Sequence, residues 1–422
     1  MRVLILTLGT RGDVQPFVAL GAGLRRAGHA VTLATGAGFE ALVAGHGLGF
    51  APLRADFQAL LATPEGQAAL RSPLAALSAW RRLVPTVRSV LDDAWTAARA
   101  CAPEVIVFHP KALAGIHLAE KLALPAIAAL PVPALTPTRA FPSPLLPTSR
   151  DFGAWGNRLS HLAVLRAMGL PYRRVIDRWR AEALGLPPLP LLADRLRLPG
   201  EPVTRLYGVS RHLMPSPPDW DAGSVMAGAW FLDEGAGWTP PTGLAAFLAA
   251  GPPPVYIGFG SMAGPDAARL AAVALEALAR AGQRAVLATG WGGLALPPAL
   301  PDGVHALEAA PHDRLFPRMA AVVHHGGAGT THEGLRWGRP TVICPVFGDQ
   351  PFWGRRVAAL GASPPPLPHR GLTPDRLAAA IRAAVENPAI GRRAAKLGAL
   401  VRAEPGVARA VEVIEEVRRA AG

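Results

Sequence analysis

Cysteine, lysine and long apolar runs are scarce in this 422-residue chain, and each scarcity excludes a class of protein. The two cysteines, Cys101 and Cys344, fall in different halves, so they build neither a disulfide framework nor a cysteine metal cluster. No run of about 18 apolar residues is present, and the apolar start Val3–Leu8 is too short for a secretion signal. We therefore expect a soluble cytoplasmic protein without a membrane-spanning helix.

Acidic residues are outnumbered by arginine, which gives a formal net charge of +13. Residues 1–200 hold 22 Lys and Arg against 12 Asp and Glu, whereas residues 201–422 hold 21 against 18. The excess is concentrated in Arg166, Arg173, Arg174, Arg178 and Arg180. Two interpretations stay open, solvated arginines that reflect a coding bias and a basic patch that approaches anionic lipid headgroups at the inner membrane face. No basic-aromatic array accompanies the charge, which disfavours nucleic acid as a partner.

The length and the order of the elements predict two α/β domains. Half the residues are apolar, and 422 residues exceed what one hydrophobic core usually supports. The order apolar strand, glycine turn, helix, strand begins at residue 2 and starts again at residue 255, which indicates two doubly wound parallel sheets facing a cleft. The predicted domains are residues 1–232 and 233–422, and a helix at 406–421 is expected to cross back to the first domain.

Three segments between these units have their own composition. Residues 131–150 are too rich in proline for regular structure. Residues 158–184 predict an arginine-rich helix, and residues 214–254, rich in Pro, Gly and Asp, predict the connection between the domains.

The most informative stretch follows the predicted strand that ends at Val322-Val323. The turn Gly326–Gly329, which includes Gly327 and Ala328, lets the backbone come close to a ligand. The helix that begins at Thr330 offers unpaired N–H groups and the positive end of its dipole. We expect a diphosphate to bind there, with His325 beside it, and we assign His324 a structural role.

Further side chains follow in the order that a nucleotide sugar needs. Glu333 lies one turn inside the helix, where its carboxylate can accept hydrogen bonds from ribose hydroxyls, and Asp349 and Gln350 are placed to bond sugar hydroxyls. Ser261, after a neighbouring glycine turn, offers a second phosphate contact. Trp291 is either a surface aromatic or a flat face for the base.

The first domain contributes the turn Gly9–Gly12 and the carboxylate of Asp13, with Arg11 and Gly12 facing the donor. One interpretation of Asp13 is a helix N-cap. The other is a general base for an acceptor hydroxyl, with a pKa raised by burial in the cleft, and both roles are compatible. His109 ends a strand nearby and is either an acceptor contact or structural.

Other nucleotide-binding classes lack their motifs. Gly9–Gly12 is not G-x-G-x-x-G, and Thr35-Gly36 stands where a dinucleotide enzyme needs an acidic residue. No P-loop sequence is present. No Asp-x-Asp pair follows a strand, so we expect no metal and no cofactor beyond the sugar nucleotide.

Several separated motifs resemble those of GT-B glycosyltransferases of family 1. The donor signature is matched by His324–Thr331 and Gly348–Gly354, and the N-terminal loop by Gly9–Pro16. Phe108–Gly115, Thr136–Pro142 and Pro311–Phe316 narrow the resemblance to the sterol 3-β-glucosyltransferase-like branch. The resemblance implies two Rossmann-like domains and metal-independent inversion at the anomeric carbon.

The resemblance also implies roles for single residues. The diphosphate would be held by His325 and the backbone of 326–330, and the ribose by Glu333. The base would lie beside Pro311-His312, and the sugar hydroxyls would contact Asp349 and Gln350. Asp13 would remove the proton of the acceptor. The donor implied is UDP-glucose, and a dTDP-sugar stays open because antibiotic enzymes share a similar glycine turn. The expected acceptor is a lipophilic alcohol such as a sterol, a carotenoid or a polyketide. A sugar-nucleotide epimerase and a non-catalytic binding module are the alternatives from other classes.

Overall fold

The computed structural model describes residues 1–54, 73–146, 150–190, 196–199, 201–233, 235, 237–260, 266–290 and 293–422, and only the backbone of 73–84. The predicted site residues Ser261 and Trp291 lie outside these described residues. The strands are β1 Arg2–Leu6, β2 Ala30–Gly36, β3 Gly49–Leu53, β4 Val105–Phe108, β5 Ala126–Leu130, β6 Thr204–Tyr207, β7 Ser224–Met226, β8 Val255–Gly258, β9 Ala285–Ala288, β10 Val304–Leu307, β11 Ala321–His324 and β12 Thr341–Ile343.

The α-helices are Arg11–Arg26, Glu40–Gly45, Pro73–Cys101, Gly115–Leu122, Gly153–Gly169, Arg173–Trp179, Thr242–Ala249, Ala267–Ala281, His312–Leu315, Ala328–Arg336, Gln350–Ala359, Pro374–Glu386, Pro388–Ala403 and Gly406–Ala420, with a π-helical turn at Arg180–Leu184. None of these described helices combines the length and the apolar composition needed to cross a bilayer.

The strands form two parallel sheets, as the sequence predicts. The first has the order β3-β2-β1-β4-β5-β6-β7 and the second the order β10-β9-β8-β11-β12. Short, fully apolar strands such as Val105–Phe108 are buried on both faces, because helices cover both sides of a parallel sheet. In each sheet the strand order reverses once, between β1 and β4 and between β8 and β11. Ligands of such sheets bind beyond the carboxyl ends of the strands at this reversal.

The first sheet extends further along the chain than the sequence indicates. Part of 214–254, predicted as the connection between domains, is strand β7, which pairs with β6 in the register Leu206 to Val225. The interpretation of the whole segment as a connection is therefore wrong. Three residues are too few for a periodic pattern, so this edge strand is indistinguishable from a loop in sequence. The boundary between 232 and 233 stays a prediction.

The last helix, Gly406–Ala420, packs on the first domain. Its buried residues Ala410 and Ile414 belong to the apolar cluster that contains Val3 and Phe17. Gly23 in the helix Arg11–Arg26 lies so close to this helix that an added Cβ would approach Val407 to 2.2 Å. The chain thus returns from the second sheet to the first, which fixes the two domains at their junction.

Candidate active site

The turn after β11 brings the backbone and a histidine ring into close contact. Gly326 has φ +93°, and an added Cβ would lie 2.6 Å from the Ile343 side chain. At Gly327 an added Cβ would lie 2.7 Å from Nε2 of His325. Because a larger residue fits neither position, the glycines leave the first N–H groups of the helix Ala328–Arg336 open towards the cleft.

His325 presents an unsatisfied ring nitrogen at this helix start. Its Nδ1 is buried and lacks a hydrogen-bond partner among the described residues. Burial lowers the pKa of His325 to about 4, so the ring is neutral and carries one N–H. An anionic ligand beside it would satisfy the nitrogen and stabilise the protonated ring. The phosphate contact of His325 stays a prediction.

His324 points into the protein instead. Its Nδ1 accepts a hydrogen bond from the N–H of Gly326 at 3.0 Å, and burial keeps its pKa well below the ordinary value. Successive residues of a strand face opposite sides, which separates the two histidines. His324 therefore shapes the turn, in agreement with its predicted structural role.

Glu333 occupies a buried position that favours the protonated carboxyl. Its Oε1 accepts a hydrogen bond from Nε1 of Trp337 at 2.7 Å and lies 3.4 Å from Arg336. Burial nevertheless raises the pKa of Glu333 to about 7, since Arg336 and Trp337 offset it only in part while Asp233 and Asp313 add to it. Near neutral pH the side chain is therefore able to donate or to accept a hydrogen bond from a ribose.

Asp349 and Gln350 lie at the start of the helix Gln350–Ala359. Oδ2 of Asp349 accepts a hydrogen bond from Nε1 of Trp353 at 2.8 Å, and burial raises the pKa of Asp349 to about 6. Oε1 of Gln350 accepts hydrogen bonds from the N–H groups of Val346 and Phe347 at 2.8 and 3.2 Å. Gln350 thus shapes its own loop, and its amide nitrogen is the group left for a sugar hydroxyl.

His312 sits beneath the same cleft in an aromatic cluster. Its ring stacks on Phe316 with centroids 4.2 Å apart, and Nε2 lies 3.5 Å from the hydroxyl of Tyr256. Burial, with the charge of Arg11 as the next largest cause, lowers the pKa of His312 to about 4. A residue in the first turn of the first-domain helix thus affects the pKa of a residue in the second domain.

Asp13 is the third residue of the helix Arg11–Arg26 and not its N-cap, which is Thr10. Its Oδ2 accepts a hydrogen bond from the N–H of Thr10 at 2.9 Å, so the Asp13 side chain pairs with the backbone of the N-cap residue. Gly9 has φ +139°, and a Cβ there would lie 2.1 Å from Oδ2. The N-cap interpretation is thus wrong in position, although Asp13 does satisfy a backbone donor. Gly12, in the same turn, is exposed.

The charge on Asp13 is governed by Lys111, which sequence reasoning missed. Nζ of Lys111 donates to Oδ1 of Asp13 at 2.6 Å. Burial alone would raise the pKa of Asp13, but Lys111, His109 and the Thr10 N–H together lower it below the ordinary value. The predicted rise of this pKa is therefore wrong, because the prediction left out the cation that follows the neighbouring strand. The available signal was that Lys111 follows β4, the strand that neighbours β1 at the reversal of the sheet.

His109 completes this group as a neutral ring. Its Nδ1 accepts a hydrogen bond from the N–H of Lys111 at 3.0 Å, so the neutral ring carries its proton on Nε2, 3.9 Å from Oδ1 of Asp13. Burial, and the nearby charge of Lys111, lower the pKa of His109 to about 3 against the opposing effect of Asp13. His109 thus orients the lysine loop.

The two halves of the site meet across the cleft. Burial has the largest effect on the pKa of Asp349, and two first-domain charges also affect it, Lys111 lowering it and Asp13 raising it. Phe352, one turn into the next helix, packs against Phe141 with ring centroids 5.5 Å apart. The described site thus contains an ionised carboxylate, a helix start with open N–H groups and further polar side chains.

No group of three His, Cys, Asp or Glu side chains in the described residues is arranged to hold a metal ion. Positive charge in the described site comes from Arg11, Lys111 and Arg336, and its other donors include backbone N–H groups and neutral histidines.

Comparison with known proteins identifies related families. Residues 3–142 match the glycosyltransferase family 28 N-terminal domain, and residues 273–417 match the erythromycin biosynthesis protein CIII-like C-terminal domain. Among solved structures, the glycosyltransferase of kitacinnamycin is similar with a TM-score of 0.73 at 22% identity, covering 99% of this chain and 98% of that chain. The glycosyltransferase VinC in complex with DTDP has a TM-score of 0.66 at 22% identity, covering 100% of both chains. These likenesses confirm the predicted GT-B fold.

Sterol 3-beta-glucosyltransferases are similar over 98% of the chain. Two from Arabidopsis thaliana are 37% and 36% identical, and one from Aspergillus fumigatus is 36% identical. The chain spans 65%, 67% and 30% of the length of these three curated relatives, respectively. Together with the two parallel sheets and the site residues at the points where their strand order reverses, these similarities show that the chain belongs to the GT-B glycosyltransferase family that includes the sterol 3-beta-glucosyltransferases.

Proposed function

We propose that the protein transfers a hexose, glucose in the first instance, from a UDP-sugar to the hydroxyl of a sterol or another lipophilic alcohol, with inversion and without a metal. The observation that carries the proposal is the pairing of Asp13 in one domain with the open helix start at Ala328 in the other. One supplies a base and the other a site for the leaving diphosphate. The relatives named sterol 3-beta-glucosyltransferases support this choice of substrates.

Asp13 acts as the general base in this reaction. Its carboxylate takes the proton of the acceptor hydroxyl while the hydroxyl oxygen forms a bond to the anomeric carbon. The bond from that carbon to the diphosphate oxygen breaks, and the nucleotide leaves with the electron pair. The low pKa of Asp13 keeps the carboxylate ionised and ready for the proton over a wide pH range.

The leaving diphosphate is stabilised by groups that are in place before the reaction. Backbone N–H groups of 328–330, the positive end of the helix dipole and the N–H of His325 face the growing negative charge. Lys111 adds a cation that lowers the pKa of both Asp13 and Asp349, and its charge offsets part of the repulsion between these carboxylates and the anionic donor. Glu333, with a pKa of about 7, adds little negative charge below neutral pH.

We place this reaction in the cytoplasm, in peripheral contact with an anionic membrane. The free cysteines Cys101 and Cys344 fit a reducing compartment. A lipophilic acceptor resides in membranes, and the arginine excess of residues 1–200 suits anionic lipid. Arg180 is not part of that surface, since it is buried against Glu120 and His117.

A second candidate is transfer of a sugar from a dTDP donor to a polyketide-type natural product. It is favoured by the match of residues 273–417 to the erythromycin biosynthesis protein CIII-like C-terminal domain. Comparing UDP-glucose with dTDP-glucose at equal concentration, each with a sterol and with a macrolide aglycone, distinguishes the two. Incubation of the donor alone, followed by NMR for an epimer, tests the epimerase alternative.

The proposal is tested by two variants that separate chemistry from binding. Asp13→Asn should keep UDP affinity in calorimetry but lose turnover by a factor on the order of 10² to 10⁴. His325→Ala should weaken UDP binding. Matched controls are Asp302→Asn, an exposed aspartate, and His46→Ala. A sugar transfer rate at the wild-type level in Asp13→Asn would eliminate the base assignment, and unchanged UDP affinity in His325→Ala would remove its phosphate role.

A further inference from the structure

Large exposed apolar side chains cluster on one segment of the first domain. Seven such side chains are exposed in the described part of the chain, and five of them lie between residues 152 and 170. Trp155 is 67% exposed and Leu159 is 61% exposed. Scattered exposed leucines need no explanation, but a cluster that includes a tryptophan marks an interaction surface.

Helix geometry places most of these side chains on one side of the helix Gly153–Gly169. Phe152, Trp155, Leu159 and Leu170 are spaced three, four and eleven residues apart, which places them in one stripe. The opposite face holds Asn157, Ser160 and His161, which are buried against the proline-rich loop. The helix is therefore apolar on an outer face that the described core does not cover. We call this stripe the outer face.

Positive charge surrounds the outer face. Between residues 150 and 180 the sequence has seven arginines and two aspartates. Arg166, Arg174 and Arg178 are exposed, and the guanidinium of Arg139 lies 4.3 Å from the ring centre of Trp155. Of the aspartates, Asp177 is paired with Arg173. Two copies of the chain meeting through this surface would bring their arginines together, whereas anionic lipid headgroups would neutralise them.

We propose that the outer face docks the protein onto an anionic lipid bilayer. Phe152, Leu159 and Leu170 enter the boundary between headgroups and acyl chains, and Trp155 lies at the level of the headgroups, the position that tryptophan prefers. The long arginine side chains reach the phosphates from the sides of the helix.

The docked helix stands next to the cleft. On its inner face Nε2 of His161 donates a hydrogen bond to the carbonyl oxygen of Phe141 at 3.1 Å, and the ring of Phe141 contacts Phe352. Phe352 follows Asp349 by three residues. A membrane-dissolved alcohol therefore meets the acceptor side of the cleft directly after leaving the bilayer. This delivery rests on the transfer reaction of the proposed function, whereas the docking itself needs neither donor nor acceptor.

Flotation with vesicles tests the docking without donor or acceptor. The vesicles contain phosphatidylcholine alone or with about a third phosphatidylglycerol. Wild-type protein should bind the anionic vesicles more strongly than the neutral ones. Leu159→Glu should lower the partition coefficient about tenfold or more, since a charge replaces a leucine that enters the bilayer. The matched control is Leu400→Glu, an exposed leucine of the second domain. Arg166→Glu should weaken binding about tenfold, and Arg392→Glu, also exposed, should not.

Each outcome decides. All four side chains are at least partly exposed, so unchanged melting temperatures will show that the variants are folded. Equal vesicle binding by Leu159→Glu and Leu400→Glu would overturn the proposal, as would a wild-type protein that does not float. So would a dimer that Leu159→Glu dissociates without changing vesicle binding. Transfer to an acceptor in detergent micelles is measured separately, and if it is absent while docking persists, only the proposed function fails.

Discussion

Replacing Lys111 by alanine removes the cation that keeps Asp13 ionised. Nζ lies 2.6 Å from Oδ1, the Asp13 side chain is 17% exposed and that of Lys111 is 48% exposed. The two charges are spread over their groups, so their mean separation is about 4 Å. At an effective dielectric constant of about 20 such charges attract by about 4 kcal/mol, which corresponds to a pKa change of about 3 units. Because half of the lysine side chain is in solvent, we expect a smaller effect of about 1 to 2 units.

The direction of the pKa change follows from the groups that still surround Asp13 when the Lys111 side chain is removed. Burial is the largest influence on Asp13 and raises its pKa, and without Lys111 only His109 and the Thr10 N–H oppose it. The base must be ionised to take a proton, so a higher pKa moves the loss of activity on the acid side to higher pH. The acid limb of kcat/KM for the acceptor, measured at saturating donor, should therefore shift upward by about 1 to 2 units in Lys111→Ala.

Two matched variants make this result specific. Lys111→Arg keeps the charge and should keep the wild-type limb. Lys121→Ala removes another exposed lysine of the same domain and should leave the profile unchanged. If the Lys111→Ala profile superimposes on that of wild type, or if Lys121→Ala moves it equally, Lys111 does not control the ionisation of the base.

Two more predictions concern single positions. Gly9→Ala should lower transfer at least about tenfold with UDP affinity retained, because a Cβ would displace the Asp13 carboxylate, whereas Gly38→Ala, with open space around it, should have no effect in the same assays. Glu333 has a raised pKa, so the stability it contributes is complete below about 4.5 and is lost as the pH rises through about 7. The unfolding free energy of the wild type, measured by urea denaturation, should therefore fall between pH 5 and pH 8. In Glu333→Gln this fall should be smaller by on the order of 2 kcal/mol, and an unchanged fall would contradict the burial argument.

The sequence indicates the elements of this fold where buried strands form uninterrupted apolar runs. The strands that begin at residues 2 and 255 were predicted where the structure has them, since a short apolar run before a glycine turn has few alternatives. Gly49–Leu53 and Ser224–Met226 were missed. The first contains Pro52 and the second is three residues long, so their strand character comes from pairing with a neighbour and not from local pattern.

The candidate site divides in the same way. Groups near one another in sequence, such as His325 and the glycine turn, were found because a strand end and a helix start fix their geometry. The ion pair of Lys111 and Asp13 spans 98 residues and depends on the adjacency of β1 and β4. Likewise, the arginines around Gly153–Gly169 were visible in the sequence, but only the packed inner face reveals which side of the helix is left outward.

Three carboxyl groups in one cleft have different environments, and this difference assigns their roles. Asp13 has a lysine at 2.6 Å and a pKa below its ordinary value, whereas burial raises the pKa of Asp349 to about 6 and that of Glu333 to about 7. Near pH 6 the first is an anion and the other two are largely or partly protonated. In the proposed reaction an anionic diphosphate donor would therefore meet little repulsion from Glu333 and Asp349, and the carboxylate that would take the proton is the one on the opposite domain. Groups whose environments separate their pKa values in this way can act as base and as hydrogen-bond donors at the same pH.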